Sequence, residues 1–390
     1  MSGEPLIFIG RTKWRDMDRP FGLRAGDRCA HMYVVGKTGT GKSSLLESMI
    51  RQDIAAGNGL ALFDPHGDLA ERLVEWLPDS RKRDLVYLNV PDPAQPFGFN
   101  PLENVPPLRR SLAANGIVET LKKLFDDAWG VRLEYILRNA LLLLLEQPEA
   151  TLADVLRLFH DKDFRKEAAE RLENEYVKRF WLTEFEKYGK HKSEAVTPIE
   201  NKLGSFLVDP FVSRILTVPK STFDPREAID SGKVLLVNLA KGKIGEAPAM
   251  LFGGLLVTML GLAGLSRADT PQKERRPFFM YLDEFQTFTT LALVNMLAEL
   301  RKYGLGLVLA NQFLDQIETE VRNAILGNVG TLLVFRVGAM DAEKLGKELW
   351  PKLDPYELTL LPNRMFWIRP LVHGQSTEAF TGETLTIDRG

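Results

Sequence analysis

The stretch GKTGTGKS occupies Gly36 to Ser43, directly after the apolar run His31 to Val35 and directly before a segment with helical periodicity. Its three glycines allow the backbone to bend so that successive N–H groups point inward, toward a bound anion. The amino terminus of the following helix adds partial positive charge at the same place. This order of strand, loop and helix fits the phosphate loop G-x-x-x-x-G-K-[ST], so the expected ligand is a polyphosphate.

Each residue of this loop has an expected role. Lys42 is expected to reach the β and γ phosphates of a nucleotide, and the Ser43 hydroxyl to complete the Mg²⁺ shell. The other residues expected to contact the nucleotide are Gly36, Lys37, Thr38, Gly39, Thr40, Gly41 and Ser44.

Hydrolysis requires a carboxylate for the metal and another for the attacking water, and the stretch YLDEFQTF supplies both. Asp283 ends an apolar run and is expected to hold Mg²⁺, while Glu284 orients or deprotonates the water. Asp64 in ALFDPHGD is the competing metal ligand, because it also ends an apolar run, although no glutamate follows it. The favoured interpretation of Asp64 is that it shapes a loop near the site. A helix-capping role for the 283–284 pair is the remaining alternative.

Two further polar positions follow or precede a predicted strand. Asn311 and Gln312 lie just beyond Leu305 to Ala310, where an amide can contact the γ-phosphate or the attacking water, or can instead satisfy the backbone of the loop. Arg301 and Lys302 lie near the end of the preceding helix, where cations are favoured in any case. From position alone, a solvated helix end is the better interpretation of these two charges.

Strand-like and helix-like segments alternate along the chain, except in its middle. The predicted strands are His31 to Val35, Gly59 to Phe63, Leu85 to Val90, Val234 to Leu239, Phe278 to Leu282, Leu305 to Ala310 and Thr331 to Val337. Most are continuously apolar, as parallel strands covered on both faces should be. From about 106 to 219 the periodicity is helical. The sequence therefore predicts an α/β core with a mostly parallel sheet and an inserted all-α domain.

The composition limits the classes of protein. With 390 residues, of which 45% are hydrophobic, the chain can bury a large core. Its single cysteine, Cys29, excludes an intramolecular disulfide and indicates a reducing compartment. The net charge of −2 lacks the strong basic bias of many nucleic-acid binders, so DNA contact would be local. No signal peptide is expected, and the apolar stretch Ala247 to Leu265 is predicted to be a buried helix rather than a membrane span.

Seven segments together resemble the FtsK/HerA superfamily of DNA-pumping ATPases, most nearly the coupling ATPases of conjugation and type IV secretion. They are HMYVVGKTGTGKSSLL, LFDPHGDLAERL, PFGFNPL, VNLAKGKIGE, YLDEFQTF, LRKYGLGLVLANQFLDQI and LLPNRMFWIRPLVHGQSTEAFTGET. The resemblance covers nearly the whole chain. Its phosphate-loop motif is common to many ATPases, whereas its combination with DPHGD, RKYG and ANQ is much more specific.

The resemblance implies a RecA-like P-loop core, with ATP and Mg²⁺ as cofactors, assembled as a homo-hexameric ring around DNA. It implies that Arg301, in its RKYG setting, is an arginine finger acting on a neighbouring subunit, and that Gln312 is the polar sensor. The expected organisation is a β-like lead-in at 1–30, the ATPase core at 31–105 and 220–375, the all-α insertion at 106–219, and a carboxyl-terminal tail at 376–390.

The expected function is therefore ATP-driven DNA translocation in conjugative transfer or type IV secretion. The alternatives are a HerA-like DNA-processing ATPase, a protein-secretion ATPase and an ATP-gated assembly module. Relaxase or secretion-machinery proteins are candidate partners, and the expected location is the cytoplasm, peripheral to the inner face of the membrane through partners. Lys241 and Lys243 can line a pore, although a solvated surface loop is the simpler interpretation.

Overall fold

The phosphate-loop strand lies in the middle of a large sheet. The computed structural model of the protein describes residues 6–12, 18–95, 97–125, 129–188, 192–349 and 353–386. The strands are β1 Leu6–Thr12, β2 Pro20–Arg24, β3 Met32–Val35, β4 Gly59–Asp64, β5 Leu85–Asn89, β6 Val234–Asn238, β7 Phe278–Leu282, β8 Leu305–Asn311, β9 Thr331–Val334, β10 Met365–Arg369, β11 Leu371–Val372, β12 Gln375–Ser376 and β13 Phe380–Thr384.

Eleven of these strands form one sheet in the order β2-β1-β13-β10-β9-β3-β8-β7-β4-β6-β5, and β11 pairs with β12 separately. The pairings from β9 through β3, β8, β7 and β4 to β6 are parallel. Strands β10, β13, β1 and β2 extend the sheet with antiparallel pairings. The predicted α/β class with a mostly parallel sheet is confirmed, and all seven predicted strands are present with small shifts at their ends.

The helices are α1 Ala25–Arg28, α2 Lys42–Ala55, α3 Asp68–Trp76, α4 Arg110–Leu124, α5 Val131–Leu144, α6 Asp154–His160, α7 Lys162–Glu170, α8 Glu175–Arg179, α9 Phe185–Lys187, α10 Lys192–Leu207, α11 Pro210–Leu216, α12 Pro225–Ser231, α13 Lys241–Ile244, α14 Glu246–Ser266, α15 Leu291–Leu300, α16 Thr319–Asn328, α17 Ala339–Glu348 and α18 Glu357–Leu360. A π-helical turn, Phe180–Glu184, joins α8 to α9.

The chain divides into two units. One comprises 1–88, 225–240 and 263–390, and the other comprises 89–224 and 241–262. The first unit contains the sheet core, in which Leu45, Leu46 and Met49 of α2 pack with apolar strand residues such as Val34 and Leu62. The second unit is helical from α4 to α11. It begins before the predicted boundary at 106, because residues 89–105 cluster with the helices.

The carboxyl-terminal segment differs from the expectation of a tail at 376–390. Its described part forms β13, which pairs with β10 on one side and with β1 on the other. Gly10 and Gly382 have no side chain, and a Cβ on either would approach the Phe366 ring to 2.9 Å. This close approach explains how a glycine-containing segment is accommodated inside the sheet.

Helix α14 is long and apolar, and α14 with the short turn after it, Glu246–Asp269, passes the length and composition test for a membrane span. In the structure, 83% of the most apolar 18-residue stretch of this segment is buried. The segment is therefore weak evidence for a membrane span. The sequence predicts that its glycines pack against the sheet, but this is only partly so. A Cβ on Gly264 would meet Leu305 of β8 at 2.5 Å, whereas one on Gly254 would meet Thr120 of α4 at 2.8 Å.

Candidate nucleotide site

The phosphate loop connects the end of β3 to the start of α2. Gly39 and Gly41 have positive φ angles of 76° and 120°, which L-residues with a side chain rarely adopt. A Cβ on Gly36 would lie 2.5 Å from the Cβ of Phe335, so this glycine allows the loop to cross the neighbouring strand end closely. Thr40 closes the turn because its hydroxyl donates to the carbonyl of Lys37 at 2.7 Å.

Lys42 is the first residue of α2, and its side chain turns back into the loop. Its ammonium donates to the carbonyl of Gly36 at 2.5 Å and to that of Lys37 at 3.3 Å. Burial lowers the pKa of Lys42, while the nearby carboxylates of Glu284 and Asp283 raise it. The loop therefore holds a cation close to the acidic pair.

The acidic pair lies at the same edge of the sheet, because β7 and β3 run parallel on either side of β8. The backbone N–H of Asp283 donates to the carbonyl of Phe63 at 3.2 Å, which fixes the strand end. The pKa of Asp283 is raised to about 7, mainly by burial and also by the negative charges of Glu284 and Asp64, while Lys42 opposes the increase. Burial and like charges disfavour the ionised form of this carboxylate, so a nearby divalent cation would stabilise it.

The residues present fit Mg²⁺, which prefers oxygen ligands and is commonly held by one carboxylate together with substrate phosphates. Asp283 supplies a buried carboxylate, and Ser43 is an exposed residue of the loop with a hydroxyl group. Within the described ranges, no group of three His, Cys, Asp or Glu side chains is arranged to hold a metal by itself. Such a site is completed by the nucleotide rather than by the protein alone.

Glu284 has its carboxylate fixed by two glutamine amides. The Gln312 side-chain nitrogen donates to Oε1 at 2.8 Å, and that of Gln286 donates to Oε2 at 2.7 Å. The Gln312 carbonyl oxygen in turn accepts the Thr38 hydroxyl at 2.9 Å. Glu284 also has a left-handed backbone with φ of 46°, a conformation uncommon for a residue with a long side chain. A chain of hydrogen bonds thus joins the phosphate loop to the candidate base.

The loop that carries Gln312 is held by its neighbours. The side-chain oxygen of Gln316 accepts the backbone N–H groups of Gln312 at 3.1 Å and Phe313 at 3.2 Å. Asn311 accepts the Tyr33 hydroxyl at 2.9 Å and donates to the carbonyl of Phe313 at 2.8 Å. Asn311 thus has a structural role in the loop, and Gln312 is the amide that reaches the acidic pair.

Asp64, the competing metal ligand, has its carboxylate occupied by the loop that follows it. One oxygen accepts the N–H of His66 at 2.9 Å, and the other accepts those of Leu69 at 2.8 Å and Ala70 at 2.9 Å. The last two belong to the first turn of α3, where N–H groups lack helical partners. This geometry is that of a loop-shaping residue.

Arg301 is the predicted site residue that the structure does not bring to the others. It lies on the turn before β8, whereas Gln312 lies directly after β8, whose seven residues span about 20 Å. An arginine side chain is shorter than that distance, so Arg301 does not reach the phosphate loop of its own chain. Lys302 beside it pairs with Glu299 at 2.9 Å, as expected of a solvated helix end.

Two contacts of the site were missed by the sequence reasoning. Gln286 follows Glu284 by two residues, and a polar residue between two phenylalanines was the available signal. Arg364 has a left-handed backbone with φ of 73°, and its N–H donates to the carbonyl of Thr40 in the phosphate loop at 2.8 Å. No local pattern in the sequence connects positions so far apart in the chain.

The parallel sheet, the phosphate loop at its edge and the acidic pair two strands away are the arrangement of a P-loop NTPase. The family model of the type IV secretion-system coupling protein DNA-binding domain matches residues 22–349, so the chain belongs to that family. The resemblance found in the sequence is thereby confirmed. No curated protein sequence matches the chain.

Solved structures with the same fold include the plasmid coupling protein TrwB and a VirB4. TrwB in complex with ADP and Mg²⁺ has a TM-score of 0.67 at 17% identity, over 99% of this chain and 97% of that one. TrwB in complex with a non-hydrolysable ATP analogue gives 0.67 and 17%, over 99% and 96%. VirB4 of Thermoanaerobacter pseudethanolicus gives 0.64 and 14%, over 99% of both chains. At these identities the likeness concerns the fold.

Proposed function

We propose that the protein binds Mg·ATP and couples its hydrolysis to the movement of DNA, in conjugative transfer or type IV secretion. The observation that carries this proposal is the hydrogen-bonded chain from Thr38 through Gln312 to Glu284. It connects the place where the γ-phosphate would lie to the carboxylate that would activate water. Family membership supports DNA as the substrate, and the complexes of TrwB with nucleotides support ATP and Mg²⁺ as cofactors.

The residues have distinct roles in this proposal. The loop 36–44 binds the phosphates through its N–H groups, and Lys42 moves from its carbonyl contacts to the β and γ phosphates. Ser43 and Asp283 would hold Mg²⁺, which would neutralise charge on the phosphates. Glu284 accepts a proton from the attacking water, and Gln312 orients that carboxylate.

The position of Arg301 supports the proposal of a ring. An arginine that lies one strand length from its own phosphate loop can stabilise the transferred phosphoryl group only on a neighbouring copy. We therefore propose that the sites are completed at subunit interfaces of a homo-hexamer around DNA. Relaxase or secretion-machinery proteins are the candidate partners, and the location is cytoplasmic, peripheral to the membrane through them.

The function is tested by measuring ATP turnover with and without single-stranded and double-stranded DNA, together with the mass of the assembly. Low salt is essential because phosphate contacts weaken steeply as salt rises. Glu284→Gln, measured in parallel, reports contaminating ATPase. DNA stimulation that declines with salt is the expected result, whereas equal turnover with and without DNA at low salt would favour protein secretion or an assembly module.

The interface is tested by mixing two inactive variants, Arg301→Ala and Lys42→Ala, under conditions of subunit exchange. Mixed rings contain interfaces in which an intact loop faces an intact Arg301, so part of the ATPase activity should return. If exchange is verified by mass and no mixing ratio restores activity, Arg301 does not act between subunits.

A further inference from the structure

The turn that carries Arg301 is exposed at its side chains and yet fixed at its backbone. Residues Arg301–Tyr303 form a short 3₁₀ turn after α15, and Gly304 ends it with φ of 76°. The N–H of Gly304 donates to the carbonyl of Arg301 at 3.1 Å, and the N–H of Phe278 donates to that of Gly304 at 3.0 Å. Both ends of the turn are thus tied to the backbone.

Two arginines from the connection between α14 and β7 bind the carbonyl oxygens between the two ends of the turn. Arg275 donates to the carbonyl of Lys302 at 2.6 Å, and Arg267 donates to that of Tyr303 at 2.8 Å. Every carbonyl oxygen of the turn therefore accepts a hydrogen bond. Carbonyls at an exposed helix end are usually satisfied by water, so guanidinium donors are not needed merely to solvate them.

The two arginines are themselves held in place. Arg267 is almost completely buried and pairs with Asp230 at 2.9 Å. Arg275 donates from Nε to the carbonyl of Thr270 at 2.9 Å, and its guanidinium lies 5.0 Å from the centre of the Tyr303 ring. The planar guanidinium of Arg275 is fixed by several contacts at once. Its hydrogen bond to the carbonyl of Lys302 therefore restricts the backbone of the turn as well.

The helix before the turn has a third anchor. The His31 ring contacts the carbonyl of Leu297 through Nε2 at 2.7 Å and accepts the N–H of Leu307 through Nδ1 at 3.1 Å. Nδ1 accepts a proton donor, so Nε2 carries the hydrogen of the neutral ring. This side chain joins the last turn of α15 to the start of β8.

The charges at the turn are not balanced. Arg301 is exposed, and its side chain makes no hydrogen bond or ion pair with the described part of the chain. Arg275 donates to backbone carbonyls, and no carboxylate within the described ranges pairs with it. Lys302 and Arg267 are paired with Glu299 and Asp230, whereas Arg301 and Arg275 have no such partner among the residues that the structure describes. Cations without a paired carboxylate attract an anion from outside the chain. The arrangement is that of a rigid support that presents one free guanidinium.

We propose that Arg275, with Arg267, is a positioning residue that fixes the 301–303 turn so that Arg301 meets the nucleotide of a neighbouring copy. This inference rests on the proposed role of Arg301 between subunits. Displacing a catalytic group by about 1 Å can cost about 10²-fold in rate. Loss of Arg275 should therefore lower turnover without affecting the phosphate loop of the same chain.

The first test compares Arg275→Ala with Arg276→Ala in the full chain. Arg276 is the next residue and also donates to backbone carbonyls, but to those of Ser231 and Gly57 rather than to the turn. We expect Arg275→Ala to lower kcat by about 10²-fold with unchanged ATP affinity, and Arg276→Ala to keep wild-type turnover. Wild-type turnover in Arg275→Ala would overturn the inference, as would an equal loss in both variants.

The second test places the defect on one side of the interface. Mixed with Lys42→Ala, Arg275→Ala should regain activity as Arg301→Ala does, whereas Arg275→Ala mixed with Arg301→Ala should stay inactive. If Arg301→Ala recovers with Lys42→Ala and Arg275→Ala does not, the inference fails while the proposed interface stands. If neither recovers although exchange is verified, the proposed interface itself fails.

Arg275→Lys serves if the alanine variant does not fold. Its ammonium reaches one carbonyl, either that of Lys302 or that of Thr270, and cannot hold both. A partial loss of kcat that recovers with Lys42→Ala supports the inference. Full activity of Arg275→Lys, when ATP affinity and thermal stability match those of the wild type, contradicts a requirement for the two-point contact.

Discussion

Gln312 donates its amide hydrogen to the Glu284 carboxylate at 2.8 Å, although the two residues lie after different strands. Glu284 is nearly buried, and Gln286 binds its other oxygen. A carboxylate held at both oxygens has one orientation, and that orientation depends on the phosphate loop through Thr38. The arrangement gives a physical route by which a phosphate bound at the loop would change the position of Glu284, the proposed base.

Glu284→Gln should bind Mg·ATP and hydrolyse it at least ~10²-fold more slowly, because the amide cannot accept a proton from water. Lys42→Ala is the comparison, since it removes the cation of the loop and should weaken nucleotide binding. The measurements are binding of a fluorescent ATP analogue and steady-state phosphate release. Full activity of Glu284→Gln would exclude it as the base and return attention to Asp64.

Gln312→Ala should lower kcat by roughly tenfold or more, because it removes both the contact to the base and the contact to Thr38. Gln286→Ala removes one bond to the same carboxylate and leaves Thr38 untouched, so its loss should be smaller. The rates of both variants and their ATP affinities distinguish these cases. A larger loss in Gln286→Ala than in Gln312→Ala would argue against a sensor role for Gln312.

Much of the fold could be predicted because the central strands are continuous apolar runs. Strands such as Phe278–Leu282 are buried on both faces, so their sequence alone indicates their environment. Strand Phe380–Thr384 was missed because it contains glycine and polar residues and is fixed by pairing with β1 and β10. Part of its signal is nonlocal, since its partner β1 lies near the other end of the chain.

The site divides in the same way. The phosphate loop and Asp283 are found from local spacing, because each follows a strand and each chemistry requires particular residue types. The contact of Arg364 with Thr40 depends on a backbone N–H and a left-handed φ. Neither can be predicted from the residue type at position 364. The Arg275 contact with the 301–303 turn is likewise a matter of tertiary packing.

Asp283→Asn and Asp64→Asn should have different consequences. Asp283→Asn should abolish the Mg²⁺ dependence of hydrolysis together with nearly all turnover. Asp64→Asn should keep a Mg²⁺ response but destabilise the protein by about 1 to 2 kcal/mol, because the neutral side chain is a poorer acceptor for the three N–H groups. Mg²⁺ titrations of ATPase and denaturation midpoints measure the two effects. A shifted Mg²⁺ midpoint in Asp64→Asn alone would favour Asp64 as the ligand.

His31 should make folding stability sensitive to acid. The pKa of His31 is lowered from 6.5 to about 4, mainly by burial; the bond to the Leu297 carbonyl opposes the decrease, and the nearby charge of Arg301 adds to it. Above pH 6.5 the ring is neutral in both the folded and the unfolded chain, so its contribution to stability is fully present. As the pH falls from 6.5 toward 4, the unfolded chain takes up a proton that the folded one does not, and stability is lost.

The expected loss from this residue is on the order of 2 kcal/mol between pH 7.5 and pH 5. His31→Asn tolerates the left-handed backbone at this position and has no proton to gain, so its stability should fall less over the same range. His66→Asn is the matched control, because His66 is exposed in the same unit and should leave the wild-type loss unchanged. Denaturant unfolding of the three proteins at both pH values gives the comparison. Equal losses in His31→Asn and the wild type would contradict the prediction, because they would mean that folding does not lower the proton affinity of the His31 ring.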